Sequence, residues 1–166
     1  DLSGRQHGVR SGGSANSGLV VTGNDMSDSG GFAMFMSGLV LPLTIESNTF
    51  DRSDQGVRPD GLAGPWSFPT SHSFVQVPYN GANKDVIELR GASDITLANL
   101  SLPATSGFGN GIRLTSTTDI TIDNVDLSGR YRGVYSSTST AGLTITNSDL
   151  SDMDIRSIQL TGADAG

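Results

Sequence analysis

The chain has 166 residues, no cysteine, 35% hydrophobic and 6% aromatic residues, and a formal charge of −7. The missing cysteines exclude a disulfide framework and a thiolate metal site, and an acidic chain without a basic run argues against nucleic acid and anionic membrane surfaces as partners. Only Glu46 and Glu88 among the 17 acids are Glu, and 22 residues are Gly, a composition of turns and strands rather than helices.

Residues 1–24 read as one coil, with a strand beginning at Gly8-Val9-Arg10 and another at Leu19-Val20-Val21 before Gly23-Asn24. A second coil runs to Asn48, with strands at Gly31-Phe32-Ala33-Met34 and Leu43-Thr44-Ile45. The stretch at about 51–83 is irregular, with four of the six prolines (Pro59, Pro65, Pro69, Pro78) and Trp66, Phe68, His72, Phe74 and Tyr79. It is either a swollen coil, with a strand at Phe74–Val77 and Asn80 at the bend, or an excursion from the stack.

Regularity returns at Val86. VIELRGASDITLANLSL (86–102) repeats as GIRLTSTTDITIDNVDL (111–127) at an offset of 25, and ITIDNVDLS (120–128) repeats as LTITNSDLS (143–151) at an offset of 23. The opening DLSGRQHGV (1–9) matches DLSGRYRGV (126–134). A period of 22–25 residues with strand alternation and no helical pattern signals a solenoid. Alternation points Leu43/Ile45, Ile95/Leu97, Ile120/Ile122 and Leu143/Ile145 inward, and Thr44, Thr96, Thr121 and Thr144 outward. Asn24, Asn48, Asn99, Asn124 and Asn147 mark one bend per coil, because Asn tolerates the left-handed conformation and can bond its stacked neighbours.

The pattern Gly-Ile-x-Leu, five turn residues, Ile-Thr-Ile-x-Asn, then Leu-Ser resembles the right-handed parallel β-helix repeat family, which includes pectate lyases, polygalacturonases, mannuronan C5-epimerases and surface-protein β-helices. The resemblance covers most of the chain outside 59–83 and implies a fold. It does not carry catalytic residues across, because the Asp-Pro-His string of the epimerases and the Asn-Thr-Asp, Asp-Asp, Gly-His-Gly and Arg-Ile-Lys set of the polygalacturonases are absent. In the enzymes of this family substrate usually lies along the sheet that here holds the Gly-Val/Ile strands.

The outward residues of those strands are Arg10, Ala33, Arg58, Glu88, Arg113, Tyr135 and Gln159. Bidentate arginines in such a column suit the carboxylates of an acidic polysaccharide, and a solvated face of interstrand ion pairs is the plainer alternative. A lyase or epimerase needs a cation for the uronate carboxylate and a base at the neighbouring carbon, which Arg113 with Tyr135, or Arg58 with His72, can supply. A hydrolase needs two facing acids, and Glu88 has only Asp85 and the loop acids Asp51, Asp54 and Asp60 to call on. Trp66 and Tyr79 offer either a sugar platform or a cluster pinning the loop. Asp25, Asp126 and Asp149, with Asp28 and Asp152 three residues on, are candidate calcium ligands, although no Gly-Gly-x-Gly-x-Asp repeat accompanies them.

These readings add up to one all-β domain over 1–166, a right-handed parallel β-helix of about seven coils, expected to be part of a longer secreted or cell-surface protein. The expected function is a rigid structural or adhesive module touching acidic polysaccharide through Arg10, Arg58, Arg113, Tyr135, Trp66 and Tyr79. Whether the chain is an enzyme stays open, a polysaccharide lyase or C5-epimerase on Arg113, Tyr135, Glu88 and His72 being the alternative. A subunit stacking end to end is a third reading, and no cofactor beyond calcium is suggested.

Overall fold

The computed structural model describes residues 1–13, 16–74, 77, 84–102, 104 and 109–162. Short runs of alternating apolar and polar residues form the strands, which are too short to stand alone and bury their apolar face by stacking on the next turn. In the first half of the chain these are β1 (Val9–Ser11), β2 (Asn16–Ser17), β3 (Val20–Thr22), β4 (Phe32–Ser37), β5 (Leu39–Val40), β6 (Thr44–Glu46), β7 (Gln55–Asp60) and β8 (Ala63–Phe68). The second half holds β9 (Asp85–Arg90), β10 (Ser93–Ala98), β11 (Asn110–Thr115), β12 (Thr117–Asp123), β13 (Arg132–Ser136), β14 (Thr140–Ala141), β15 (Thr144–Thr146) and β16 (Arg156–Leu160).

Each of these strands pairs in parallel with its counterpart one turn away, and the described residues contain no helix. The main wall is a seven-stranded sheet in the order β1-β4-β7-β9-β11-β13-β16. A second wall joins β8, β10 and β12, with β14 and β15 on its outer edge, and the small β2–β5 and β3–β6 pairs continue it in the first turns. A third, narrow wall consists of single bridges, Asp25 to Thr49 to Ser73 and Ser101 to Asp126 to Asp149. The chain is therefore an all-β parallel solenoid of about six turns, one fewer than the seven coils expected, because seven strands of the main wall bound six intervals.

The partners Val9, Met34, Val57, Ile87, Ile112, Val134 and Ile158 form one inward column. Five of the seven, Met34 to Val134, are fully buried. Ile45, Ile95/Leu97 and Ile120/Ile122 close the second wall as the alternation predicts, and Met26, Phe50, Phe74, Leu102 and Leu127 fill the third.

The expected irregular loop is mostly regular. β7 and β8 lie within it, and only the step from Val57 to Ile87, 30 residues, departs from the 22–25 spacing of the other turns. Trp66 pairs with Ile95, Ser67 with Thr96 and Phe68 with Leu97, so Trp66-Ser67-Phe68 is an apolar-polar-apolar strand equivalent to Ile95-Thr96-Leu97. The coil is swollen and carries a strand at Ala63–Phe68, while residues 75 and 76 of the expected Phe74–Val77 strand, and Asn80 after it, lie outside the described residues.

Bends recur along the stack as four columns of residues with positive φ, although not every turn fills all four. Gly38, Gly61, Gly91 and Ser116 follow the main wall; Gly64, Asp94, Asp119 and Gly142 kink the second; Gly23, Ser47, Asn99, Asn124 and Asn147 lead into the third; Gly4, Asp28, Arg52, Gly129 and Asp152 lead out of it. Asn and Asp recur in the sequence because they are the non-glycine residues that tolerate this conformation best. The Asn column is in fact two. Asn99, Asn124 and Asn147 hold the bend, whereas Asn24 and Asn48 sit one residue beyond it, after Gly23 and Ser47. There Asn24 N–H donates to Asn48 Oδ1 (3.0 Å) and Asn48 N–H donates to His72 Nδ1 (3.1 Å), so His72 takes the same position in the next turn.

A left-handed residue with a Cβ costs roughly 1–2 kcal/mol. Ser116 has φ 52° and an exposed side chain, so Ser116→Gly is expected to raise stability and Ser116→Val to lower it by about 1–2 kcal/mol in urea denaturation. Equal midpoints for the two variants would show that the corner does not constrain the fold.

Candidate functional site

The main wall gathers the cations of an otherwise acidic molecule. Its strands carry Arg10, Arg58, Arg90, Arg113, Arg132 and Arg156, six of the nine arginines, but only Asp60, Asp85 and Glu88 among 17 acids. The wall therefore holds 6 − 3 = +3, and the remainder of a chain of net −7 holds −10. Parallel in-register stacking turns this composition into ladders about 4.8 Å apart.

One ladder runs Arg10, Phe35, Arg58, Glu88, Arg113, Tyr135, Gln159. Six of these seven residues are the outward ones expected. Ala33 is the correction: it is fully buried, and Phe35 takes its place because Val9 pairs with Met34 and not with Phe32. A second ladder starts three residues earlier on each strand, with His7, Phe32, Gln55, Asp85, Asn110, Arg132 and Arg156. Between the ladders a recurring glycine lets the neighbouring turn and core side chains approach closely. A Cβ on Gly111 would stand 2.3 Å from Leu127 Cδ2 and 2.8 Å from the Gly133 carbonyl.

The centre of this face is Asp85 and Glu88 on β9, between Arg58 on β7 and Arg113 on β11. Arg58 Nη1 lies 3.6 Å from Glu88 Oε2, and its Nη2 lies 3.3 Å from Asp60 Oδ2. Arg113 Nη1 lies 3.6 Å from Asp85 Oδ2, an ion pair too long for a hydrogen bond. Asp85 is fully buried; Asn110 Nδ2 donates to its Oδ1 at 2.7 Å, and its Oδ2 has no hydrogen-bond partner. Burial pushes the Asp85 carboxyl up to about 6, against the pull of Asn110 and Arg113, while the neighbouring Glu88 charge adds to the rise.

Aromatic rings hold the guanidiniums on either side. The Phe35 ring lies between Arg10 (5.7 Å) and Arg58 (5.1 Å), with Phe32 beside it, and His7 closes a recess of about 200 Å3 over these four. At the other end Arg132 lies 4.9 Å from the Tyr135 ring and 4.8 Å from Tyr131, Arg113 lies 5.7 Å from Tyr135, and Arg132 Nε donates to Gln159 Oε1 (2.9 Å). Cation–π contact fixes rotamers that free arginines would lose entropy in adopting.

Other expected site residues lie elsewhere. Trp66 is buried with its ring edge against Phe68 (5.5 Å between centroids), so it belongs to the core and is no sugar platform. His72 stacks among Phe50, Phe68 and Phe74 at the corner of the third wall, away from Arg58. Burial lowers its pKa, and with Nδ1 accepting from Asn48 the neutral ring carries its proton on Nε2. Tyr79 lies outside the described residues.

The aspartate column does not converge. Asp25 stacks on Thr49, while Asp126 and Asp149 are neighbours in later turns. Each accepts the amide of the Ser two residues on (Ser27, Ser128, Ser151), which is turn chemistry. Asp28 pairs with Arg52 at 2.7 Å, and Asp152 is exposed at a bend. No group of three or more His, Asp or Glu side chains converges as a metal requires among the described residues. A groove of about 300 Å3 runs beside Asn99, Asn124 and Asn147, but Asn124 Nδ2 is spent on Asn99 Oδ1 and Asn147 Nδ2 on Asp123 Oδ1, so its polar groups serve the bend.

Comparisons of the chain with protein-family models, with curated proteins and with solved structures found no match.

The raised Asp85 pKa has a sign that can be tested. Its folded value, about 6, lies above the ordinary 3.8, so folding favours the protonated form. Stability contributed at this site is full below pH 3.8, declines as pH rises towards 6, and is lost above it. Asp85→Asn is expected to flatten the stability profile across that window and to raise stability at pH 7 by about 2–3 kcal/mol. A variant less stable than the parent at pH 7, with the same pH profile, would show that the carboxylate is a net stabiliser.

Proposed function

We propose that the chain is a rigid β-solenoid module that binds acidic polysaccharide along its seven-stranded wall. The observation that supports this reading is the separation of charge, +3 on the strands of one wall against −10 on the rest of the molecule. An acidic protein has no need to collect six arginines on one sheet for solubility. Such a sheet steers anions to itself while the remaining surface repels them. The wall is long, as suits an extended polymer, and four of its six guanidiniums, those of Arg10, Arg58, Arg113 and Arg132, lie against rings so that less ordering remains to be done on binding. A ligand of this kind places the module at a cell surface or outside the cell.

A second reading, a polysaccharide lyase or C5-epimerase, is favoured by Asp85 beside Arg113. In an elimination a base takes the proton next to the uronate carboxylate, the glycosidic C–O bond breaks, and the departing oxygen takes up a proton. On this reading Arg113 would neutralise the carboxylate and Tyr135 beside it would move the protons, while the fully buried Asp85, titrating near 6, would set the charge around Arg113.

Binding is tested by calorimetric titration with polygalacturonate and alginate, with uncharged dextran as control. Salt-sensitive binding of an acidic polymer is expected, and Arg113→Gln should weaken it about tenfold, the loss of one charge-assisted contact. Dextran binding as tightly as the uronans would sink the reading. The lyase alternative predicts growing ultraviolet absorbance from unsaturated ends during incubation with these uronans, abolished in Tyr135→Phe; a flat trace with both substrates counts against it.

A further inference from the structure

The charge on the wall is patterned as well as positive, and the pattern carries information about the ligand. Arg10, on the first strand, and Arg132 and Arg156, on the last two, have no carboxylate within ion-pair distance among the described residues. Both carboxylates of the two ladders lie on β9, the middle strand, where Glu88 faces Arg58 and Asp85 faces Arg113. Arg90 shares β9 but sits at its far end, in register with Asp60. Free cations thus stand at the two ends of the face, and cations already engaged by acids stand in the middle.

From Arg10 on β1 to Arg132 on β13 is five strand steps, about 24 Å at roughly 4.8 Å each. That is the length of several sugars. A polymer charged on every residue would set an anion over Asp85 and Glu88, and like charges brought together cost affinity. A polymer whose charged sugars are separated by neutral ones avoids this.

We propose that the wall selects acidic glycans with interrupted charge, one anionic group meeting Arg10, another meeting Arg132, and neutral sugars crossing Asp85 and Glu88. The Phe35 ring orients Arg10, and the Tyr131 and Tyr135 rings orient Arg132, so both ends of the ligand meet preset guanidiniums. Specificity then comes from the acids in the centre as much as from the cations at the ends.

This inference rests on the binding reading above and fails separately from it. The test titrates the full chain at pH 7 and fixed low salt with eight-sugar fragments of two polymers: hyaluronan, in which glucuronate alternates with a neutral amino sugar, and polygalacturonate, in which every sugar is charged. The alternating fragment is expected to bind at least tenfold more tightly. Asp85→Asn with Glu88→Gln should close that gap by raising affinity for polygalacturonate. Arg10→Gln and Arg132→Gln should each weaken the alternating fragment severalfold, while Arg52→Gln on another wall should leave it unchanged. Polygalacturonate binding as tightly as hyaluronan in the parent chain overturns the inference and leaves polysaccharide binding standing. Failure of both fragments overturns both. Should the double variant not fold, the arginine variants decide: equal losses for both fragments, or a loss with Arg52→Gln as large as with Arg10→Gln, overturn it.

Discussion

The structure depends on one geometric constraint, that successive turns bend at equivalent places. A parallel ladder is bonded only while equivalent residues stay level with one another, and one residue of slip reverses the face of every side chain beyond it. Here the bends are columns of left-handed residues, for which Gly, Asn and Asp carry the smallest steric penalty. Where the column accepts Ser116 or Arg52, a more costly residue is held in place by the turns above and below it. Fixed corners make stacked side chains near neighbours by construction, and this is how residues 22–30 apart in sequence become ion pairs and cation–π pairs on the main wall.

The same constraint decides what could be read from the sequence. Inward pairs such as Ile95/Leu97 and Ile120/Ile122 were legible because burial demands apolar residues at period two. The outward column was legible for six of seven positions because it follows the inward column by one residue. Ala33 was misplaced since Gly31 imitates the glycine that precedes the inward residue elsewhere, and Phe32 imitates the inward residue itself. In the structure small Ala33 takes the glycine's place and Met34 the inward one. Trp66-Ser67-Phe68 carried the strand signal but was hidden by its prolines and by aromatic residues where other turns use Ile and Leu.

What periodicity could not show was the second ladder. Asp85, Asn110 and Arg132 differ in charge and size, so nothing in their identities marks them as equivalent, and only their position three residues before the outward column does. Arg130 was equally hidden. It repeats Arg5 in sequence, yet Arg5 is exposed while Arg130 is fully buried, donating from Nε and Nη2 to the Leu102 carbonyl and from Nη1 to that of Val77. Burial lowers its pKa to about 10, so it stays charged at neutral pH and pins two backbone segments from inside.

A stack of arginines is a liability in an in-register ladder, because each would stand about 4.8 Å from the next along the whole wall. In the ladder that starts at Arg10 the chain meets this by alternation, whereas Arg132 and Arg156 stand level on adjacent strands of the second ladder. Arg10 and Arg58 are separated by Phe35, and Arg58 and Arg113 by Glu88, while Tyr135 follows Arg113. No two guanidiniums of that ladder occupy adjacent strands. The spacers are not equivalent, however. A ring screens its two neighbours and leaves their charge available, whereas Glu88 removes part of it, and Asp85 does so from a buried position that itself works against ionisation. If repulsion were the sole concern, a third ring in place of Glu88 would separate Arg58 from Arg113 without discarding charge. On the proposed glycan-binding reading, acids at the centre and rings at both ends set where an anion sits, within the spacing that the corners impose.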